Sequence, residues 1–241
     1  EKGTPLISSM LELAREHSNS PFLCIINTDI LVMPDMLDGL EKVANLYKRF
    51  LLVGQRWDLE VNESLQTTED LFGHVGELIR RYGRLHPPMG SDYFIFPRTC
   101  FTHIPDFAIG RAGWDNWMIF KARLEGWIVV DGSQDITIAH QDHDYSHLSG
   151  GLPHYRQPET AANVKLAGGD HTIFTLHDAQ AKLVDGSIQK IPLTWKRFWR
   201  QIEIFPITCF KSKTLSQISY FLFHPRKTYL AFRRLVHESL H

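Results

Sequence analysis

Residues 21–35 read PFLCIINTDILVMPD, and this stretch indicates the fold more clearly than any other. A continuous apolar run, 22–26, leads into the polar triplet Asn27-Thr28-Asp29, and Pro34 follows where it can open a helix. A short apolar run with such boundaries is typical of a strand that is buried on both faces of a parallel sheet. Ligands of open α/β sheets bind outside the carboxyl ends of the strands, so Asp29 is well placed to bind a metal ion or a polar substrate. The alternative is that Asp29 only caps a turn.

Helical and strand patterns alternate along most of the chain, which predicts an α/β fold with a mainly parallel central sheet flanked by helices. Thr4 and Pro5 are typical of the N-cap and first position of the first helix. The predicted helices are 4–17, 34–47, 69–82 and 114–125. The predicted strands are 22–26, 50–54, 93–96, 127–131 and 136–139.

The pattern also predicts two parts of unequal charge. Residues 1–170 form the predicted α/β domain, with a loop-like stretch at 148–170, and residues 171–241 form a C-terminal extension with amphipathic helices. From Lys190 onward there are ten Lys and Arg but two acids, whereas the chain as a whole has a net charge of -1. A basic extension on an acidic body indicates a separate role for the extension.

The cysteines and the hydropathy indicate a compartment. Cys24, Cys100 and Cys209 are too few and too scattered for a disulfide framework, which favours a reducing environment. We find no signal peptide and no apolar run near the roughly 20 residues that span a bilayer. We therefore expect a soluble, cytoplasmic protein.

An acid flanked by aromatic residues lies at the start of the fourth helix, in Gly113-Trp114-Asp115-Asn116-Trp117. Asp115 is explained most simply as a first-turn acid that the helix dipole favours. Trp114 and Trp117, however, suit a sugar face, because apolar C–H patches stack on rings while a carboxylate takes a hydroxyl proton.

A cluster of histidines and acids follows the last predicted strand of the domain. His140, His143 and His147 lie within eight residues of one another, together with Asp142 and Asp144. Imidazole and carboxylate groups bind divalent metals, and a neighbouring acid can orient a histidine ligand. A purely structural loop is the alternative. Histidine favours zinc or manganese here, whereas Asp29 favours a hard cation.

Taken together, these motifs resemble a family 2-like glycosyltransferase of the GT-A fold, over roughly residues 1–147. The metal motif Asp-x-Asp of that family appears as Asn27-Thr28-Asp29, and Gly90-Ser91-Asp92-Tyr93 resembles the acceptor-side strand. Gly113-Trp114-Asp115-Asn116 lies where the family has its catalytic base, and His140 or His143 lies where many members complete the metal site.

The chain departs from the family pattern in two places. Family members usually begin with a βαβ unit that holds the nucleotide base and ribose, and this chain starts after that point. Asn27 replaces the first acid of the metal motif, so we expect weaker or different metal binding.

The resemblance implies transfer of a sugar from a nucleotide-diphosphate donor to an acceptor hydroxyl, with inversion. Asp115 would be the base, and Asp29 with His140 or His143 would hold Mn²⁺ or Mg²⁺, with Zn²⁺ less favoured. Arg111 would bind the diphosphate, or would form only a salt bridge. The implied substrate-binding residues are Asn27, Asp29, Ser91, Asp92, Arg111, Trp114 and Trp117.

The expected partners are a nucleotide-sugar donor and a glycan or lipid-linked acceptor, and no nucleic acid, because the acidic body would repel phosphate. The basic, aromatic helices within 192–241 would either contact an anionic membrane at the inner face or pack back on the domain.

Two other functions remain open. One is a metal-dependent hydrolase that uses the 140–147 cluster, and the other is a non-catalytic relative that binds sugars or nucleotide-sugars.

Overall fold

The structure, a computed structural model, describes residues 3–60, 70–141, 158–227, 229 and 233. The helices are α1 (Ile7–His17), α2 (Asp35–Leu46), α3 (Leu71–Tyr82), α4 (Trp114–Glu125), α5 (Pro158–Ala167), α6 (Trp195–Thr208) and α7 (Lys213–Phe223). The strands are β1 (Phe22–Ile26), β2 (Ile30–Val32), β3 (Phe50–Gly54), β4 (Trp57–Leu59), β5 (Arg84–Leu85), β6 (Tyr93–Pro97), β7 (Ile128–Asp131), β8 (Ile138–Gln141), β9 (Ala181–Val184) and β10 (Ser187–Lys190).

The strands form two mixed sheets. The larger sheet has the order β1-β6-β3-β7-β9-β10, and the smaller has the order β2-β8-β4-β5. In the larger sheet, β3 and β9 run parallel to β7, while β6 runs antiparallel to both of its neighbours. In the smaller sheet only β4 and β8 are parallel.

The predicted α/β class is therefore confirmed, whereas the prediction of a mainly parallel sheet is wrong. The reason lies in the path of the chain after α3. There β5 pairs with β4, close to the carboxyl end of β3, so the chain enters β6 from that end and must run back along β3. The prediction that β1 is a parallel strand buried on both faces is also wrong. β1 is an edge strand, antiparallel to β6, and its Cys24 is exposed.

The core lies between the larger sheet and α2. The fully buried side chains of this core include Phe50, Leu52, Val130 and Leu183, each 0% exposed. All five residues of β3 are buried. Strands β9 and β10 come from residues that the sequence assigned to the C-terminal extension, and β9 extends the larger sheet beside β7.

Helices α1 and α5 differ most from the prediction. Helix α1 begins at Ile7 rather than near Thr4, whose hydroxyl donates instead to the Glu159 carboxylate at 3.1 Å. Helix α5 occupies part of the stretch that the sequence analysis treated as a loop. It buries Asn163 in place of an apolar stripe, so helical periodicity gave little sign of it.

The chain divides into two compact units, residues 1–123 with 127–191 and residues 124–126 with 192–241. The second contains the hairpin of α6 and α7, whose N-caps Thr194 and Ser212 accept hydrogen bonds from the backbone of Arg197 and Leu215. The helices within the described residues are all too short or too polar to span a bilayer.

Candidate functional site

The candidate site lies where three strands of the larger sheet meet. Tyr93 at the start of β6 pairs with Ile26 at the end of β1 and with Gly54 at the end of β3. The Asp92 N–H accordingly donates to the Gly54 carbonyl at 3.1 Å. The polar residues after β1, after β3 and before β6 are therefore brought to one edge of the sheet.

His140 joins this edge from the smaller sheet. It occupies the register position opposite Ile30 of β2 on one side and opposite Asp58 of β4 on the other. Its Nε2 lies 3.3 Å from the Asp29 carboxylate, and its Nδ1 lies 3.3 Å from the Asp58 carboxylate. The predicted association of Asp29 with His140 is thus present, and the imidazole lies between two acids.

Asp58 lies close to three basic side chains of the site, those of Arg56, His86 and His140. It accepts from Arg56 Nε at 2.7 Å and lies 2.9 Å from Nδ1 of His86. Burial alone would raise the pKa of Asp58, but the hydrogen bonds from Arg56 and His86 outweigh this effect and hold the pKa below its ordinary value. Asp58 therefore stays ionised and can orient His140.

Arg56 links Asp58 to Asp92. Its Nη1 lies 2.5 Å from Oδ1 of Asp92, a side chain that is almost fully buried. Burial would lower the pKa of Arg56, but the two carboxylates raise it. The second oxygen of Asp92, Oδ2, is also buried and has no hydrogen-bond partner among the described residues. A buried acceptor without a partner costs free energy, so this oxygen is a candidate to accept a hydrogen bond from a ligand.

Asp115 lies in the first turn of α4, beside Asp92. Its Oδ1 accepts from the Gly113 N–H at 3.0 Å, and Gly113 has a φ of 108°, which residues with a Cβ rarely adopt. Burial raises the pKa of Asp115, the neighbouring backbone N–H groups lower it, and the negative charge of Asp92 raises it further, with a net increase. The first-turn position matches the sequence analysis, and the raised pKa suits a general base.

Helix α5 holds the loop that leads into α4. The Asn163 side chain, 1% exposed, accepts from the Ala108 N–H at 2.9 Å and donates to the Ala108 carbonyl at 3.0 Å. Arg111 donates to Glu159 of the same helix at 2.7 Å. Of the two interpretations of Arg111, the salt bridge is the one that the structure contains, and it fixes the loop that positions Asp115.

The two tryptophans are largely buried in this structure. The Trp114 ring lies 5.0 Å from that of Phe94, and the Trp117 ring lies 5.3 Å from that of Phe107. Both rings contribute to packing, and their predicted role at an acceptor sugar stays a prediction. Asn27 is exposed in the turn after β1, and Ser91 is partly buried next to Asp92.

The metal prediction rests on fewer residues than the sequence suggested. His143 and the rest of the cluster after Gln141 lie outside the described residues. Among residues 3–60, 70–141 and 158–227, no group of three or more His, Cys, Asp and Glu side chains is arranged to hold a metal ion. The Asp29–His140 pair nevertheless suits an ion, because 3.3 Å is close to the roughly 3 Å that separates neighbouring oxygen or nitrogen ligands at bond lengths of about 2.1 Å. Asp58 on the other imidazole nitrogen is the usual partner of a metal-binding histidine.

Arg56, Asp58 and His86 were missed as site residues. The sequence does contain a signal for the first two, because the polar run 55–58 follows a fully buried strand just as 27–29 follows β1. His86 had no such signal, since it reaches the site through the pairing of β5 with β4.

No protein-family model matches this sequence, and neither a curated protein nor a solved structure is significantly similar to it.

Proposed function

We propose that this chain is a glycosyltransferase that moves a sugar from a nucleotide-diphosphate donor to an acceptor hydroxyl with inversion. The family resemblance stated from the sequence suggests this activity. What supports it in the molecule is the meeting of Asp29, Asp92, Asp115 and His140, which come from four segments far apart in the chain, at or beside the edge where β1 and β3 end.

One observation carries the proposal, namely the buried Asp92 carboxylate, which Arg56 contacts through one of its two oxygens. A buried carboxylate with one oxygen held by Arg56 and the other without a partner among the described residues is suited to accept a hydrogen bond from a sugar hydroxyl. Asp115, near enough for Asp92 to raise its pKa, is suited to take the proton of an attacking hydroxyl. Binding one hydroxyl while deprotonating another is what transfer between two sugars requires.

Asp115 would act as the general base. Its backbone hydrogen bond from Gly113 fixes the carboxylate, and α5 fixes the loop around Gly113, so the base keeps its orientation. The increase in pKa makes the carboxylate a stronger base than an exposed aspartate.

Asp29 and His140 would hold a divalent cation, with Asp58 orienting the imidazole. Such an ion supplies Lewis-acid stabilisation of the charge that develops on a diphosphate leaving group. The Asp29 side chain is 43% exposed, so the donor could reach it. The His140 ring lies between the carboxylates of Asp29 and Asp58, 3.3 Å from each.

The test is the release of nucleoside diphosphate from a panel of UDP-, GDP- and dTDP-sugars, measured with Mn²⁺, with Mg²⁺ and with EDTA. We expect release that depends on the cation with at least one donor, and loss of at least about 100-fold in the Asp115→Asn variant, as is typical when a general base is removed. The matched control is Asp38→Asn, which makes the same change on the exposed face of α2 and should leave release unchanged.

Binding is measured in parallel as a thermal shift with UDP, GDP and dTDP. If a nucleotide raises the melting temperature of both the wild type and Asp115→Asn, and the wild type shows no turnover, the non-catalytic alternative would be favoured. Near-normal turnover by Asp115→Asn would remove Asp115 as the base, and no shift with any nucleotide and no release would contradict the transferase proposal altogether.

A further inference from the structure

Helix α7 of the α6–α7 hairpin buries two serine side chains and exposes most of its apolar ones. Ser216 and Ser219 are 4% and 9% exposed, and Tyr220 is also buried, whereas the exposed apolar side chains are Leu215, Ile218, Phe221 and Leu222. Ser219 donates to the Glu203 carbonyl of α6 at 2.7 Å, so the interior of the hairpin is held partly by a polar contact. Water-soluble helices normally bury their apolar stripe instead.

Both helices expose apolar side chains, which are together called the exposed apolar face. At 100° per residue, the outward apolar residues of α6 lie roughly opposite Ile204 and Ile207, which are buried. Rings of Trp195, Phe198 and Trp199 lie within 5.7 Å of one another on that face. The exposed apolar residues are Trp195, Phe198, Trp199, Ile202, Phe205, Phe210, Leu215, Ile218, Phe221 and Leu222.

The charge around this face is almost entirely positive. From residue 192 onward, the one acid among the described residues is Glu203, which is buried and lies 2.7 Å from Arg200 and 3.0 Å from His224. The bases among the same residues are Lys196, Arg197, Arg200, Lys211, Lys213, Arg226, Lys227 and Arg233.

Some of these bases lie where they do not favour the fold. Lys196 is in the first turn of α6, and Lys213 begins α7, while neither helix has an acid in its first turn. The helix dipole favours acids at this end, so bases there are retained at a small cost in stability. An anionic partner would account for them.

We propose that the α6–α7 hairpin docks on the surface of an anionic lipid bilayer. The apolar face, rich in tryptophan and phenylalanine, would enter the boundary between headgroups and acyl chains, and the flanking bases would contact anionic headgroups. Neither helix is long enough to cross the bilayer, which fits a hairpin that lies in the interface plane. The charge complementarity selects a lipid surface over a second copy of the hairpin, since two equally basic hairpins would repel each other.

The test is sedimentation of the full chain with vesicles of phosphatidylcholine alone and with vesicles that contain 30% phosphatidylserine, at low salt. We expect binding to the anionic vesicles that weakens as salt is raised, and little binding to phosphatidylcholine alone. The paired variant Lys196→Glu/Lys213→Glu should bind at least about 25-fold more weakly, because each basic residue near an anionic surface contributes about fivefold. Both substitutions place an acid at a helix N-terminus, where it favours the helix.

Apolar insertion is tested separately with Leu222→Ser, which should weaken binding by about tenfold as a large apolar side chain is lost from the interface. Its control is Leu37→Ser on α2, because Leu37 and Leu222 are similarly exposed at 71% and 74%. The control for the charge variant is Lys48→Glu/Arg49→Glu, two exposed bases before β3. Both controls should bind like the wild type, and circular dichroism checks that every variant is folded.

Three outcomes would overturn the proposal. The first is failure of the folded wild type to bind anionic vesicles. The second is equal weakening by the variants and their controls. The third is a concentration-dependent dimer that Leu222→Ser dissociates while vesicle binding stays unchanged, which would assign the face to a second copy of the chain.

Discussion

The sheet unit and the α6–α7 hairpin differ in which residues they expose. In the sheet unit, β3 is apolar and fully buried, and the charged residues gather at the end of the strand. In the hairpin, Ser216 and Glu203 are buried, while Trp195 and Leu222 are exposed. Each arrangement leaves an unusual surface, polar and partly buried in one unit and apolar and basic in the other.

The difference shows how an unexplained surface can be interpreted. Asp92 is costly to bury, so its retention beside the sheet is consistent with the polar ligand that we propose. Exposed aromatic side chains are costly in water, so their retention beside basic residues on the hairpin is consistent with the anionic bilayer that we propose. In both units the departure from ordinary burial is what indicates function.

The largest expected difference between the two units comes from removing the same side chain from each. Phe50 is 0% exposed in the sheet and Phe221 is 50% exposed on the hairpin. We expect Phe50→Ala to lower the free energy of unfolding by about 4 kcal/mol through cavity formation and lost burial. Phe221→Ala should cost less than about 1 kcal/mol, since half of its surface is exposed in the folded chain and its loss leaves no closed cavity. Urea unfolding followed by circular dichroism measures both values.

Each variant acts as the control for the other, because the substitution is identical. Equal costs would mean that the outward face of the hairpin is covered in solution, and this result would also count against bilayer docking.

A smaller effect is expected at Asp58, whose depressed pKa reflects its bonds to Arg56 and His86. A carboxylate with a depressed pKa stabilises the fold above its unfolded pKa of about 3.9, and this contribution is lost as the pH falls through the folded value. Asp58→Asn should therefore cost about 2 to 3 kcal/mol at pH 7, with the difference from wild type shrinking below about pH 4. Denaturant unfolding at pH 7, 5 and 3 measures it.

The control for this change is Glu77→Gln on α3, which removes an exposed ion pair with Arg81. It should change stability by less than about 0.5 kcal/mol at every pH. A pH-independent cost in Asp58→Asn would show that the charge of Asp58 contributes little.

The smallest effect is expected at Asp115, where burial raises the pKa and so disfavours the charged form in the folded state. Stability is then highest below the unfolded pKa and falls as the pH rises through the folded pKa. Asp115→Asn keeps an acceptor for the Gly113 N–H and removes the charge, so at pH 7 it should be as stable as the wild type or more stable by up to about 1 kcal/mol. Thermal melts at pH 7 and pH 3 measure the difference, which should vanish at the lower pH. A clear loss of stability at pH 7 would mean that the ionised carboxylate has a structural role.

Much of the fold was predictable because its strands are short apolar runs with polar ends. The bounds of β1, β3 and α4 agree with the sequence analysis. The predicted contact of Asp29 with His140 is present, but it depends on the pairing of β8 with β2, a strand that was not predicted. Strand direction was not predictable in the same way, since an apolar run looks alike in either direction. The reversal at β6 depends on a two-residue strand, β5, whose pairing is a long-range property.

The rest of the site depends on contacts that leave little trace in sequence. Helix α5 is anchored by Asn163 and Glu159 rather than by an apolar stripe, so the support that it gives to the loop before Asp115 was not visible. The network of Arg56, Asp58 and His86 similarly needs two separate strands to be placed side by side.

The position of β8 between β2 and β4 limits how this chain can diverge. His140 meets both acids because Thr137, just before the strand, is fixed by the Asp35 carboxylate, which accepts from its N–H at 3.0 Å. Successive side chains of a strand point to opposite faces, so a shift of β8 by a single residue would turn the imidazole away from Asp29 and Asp58. Descendants of this sequence that retain the site should therefore vary in composition across 132–137 while keeping the length of that turn constant.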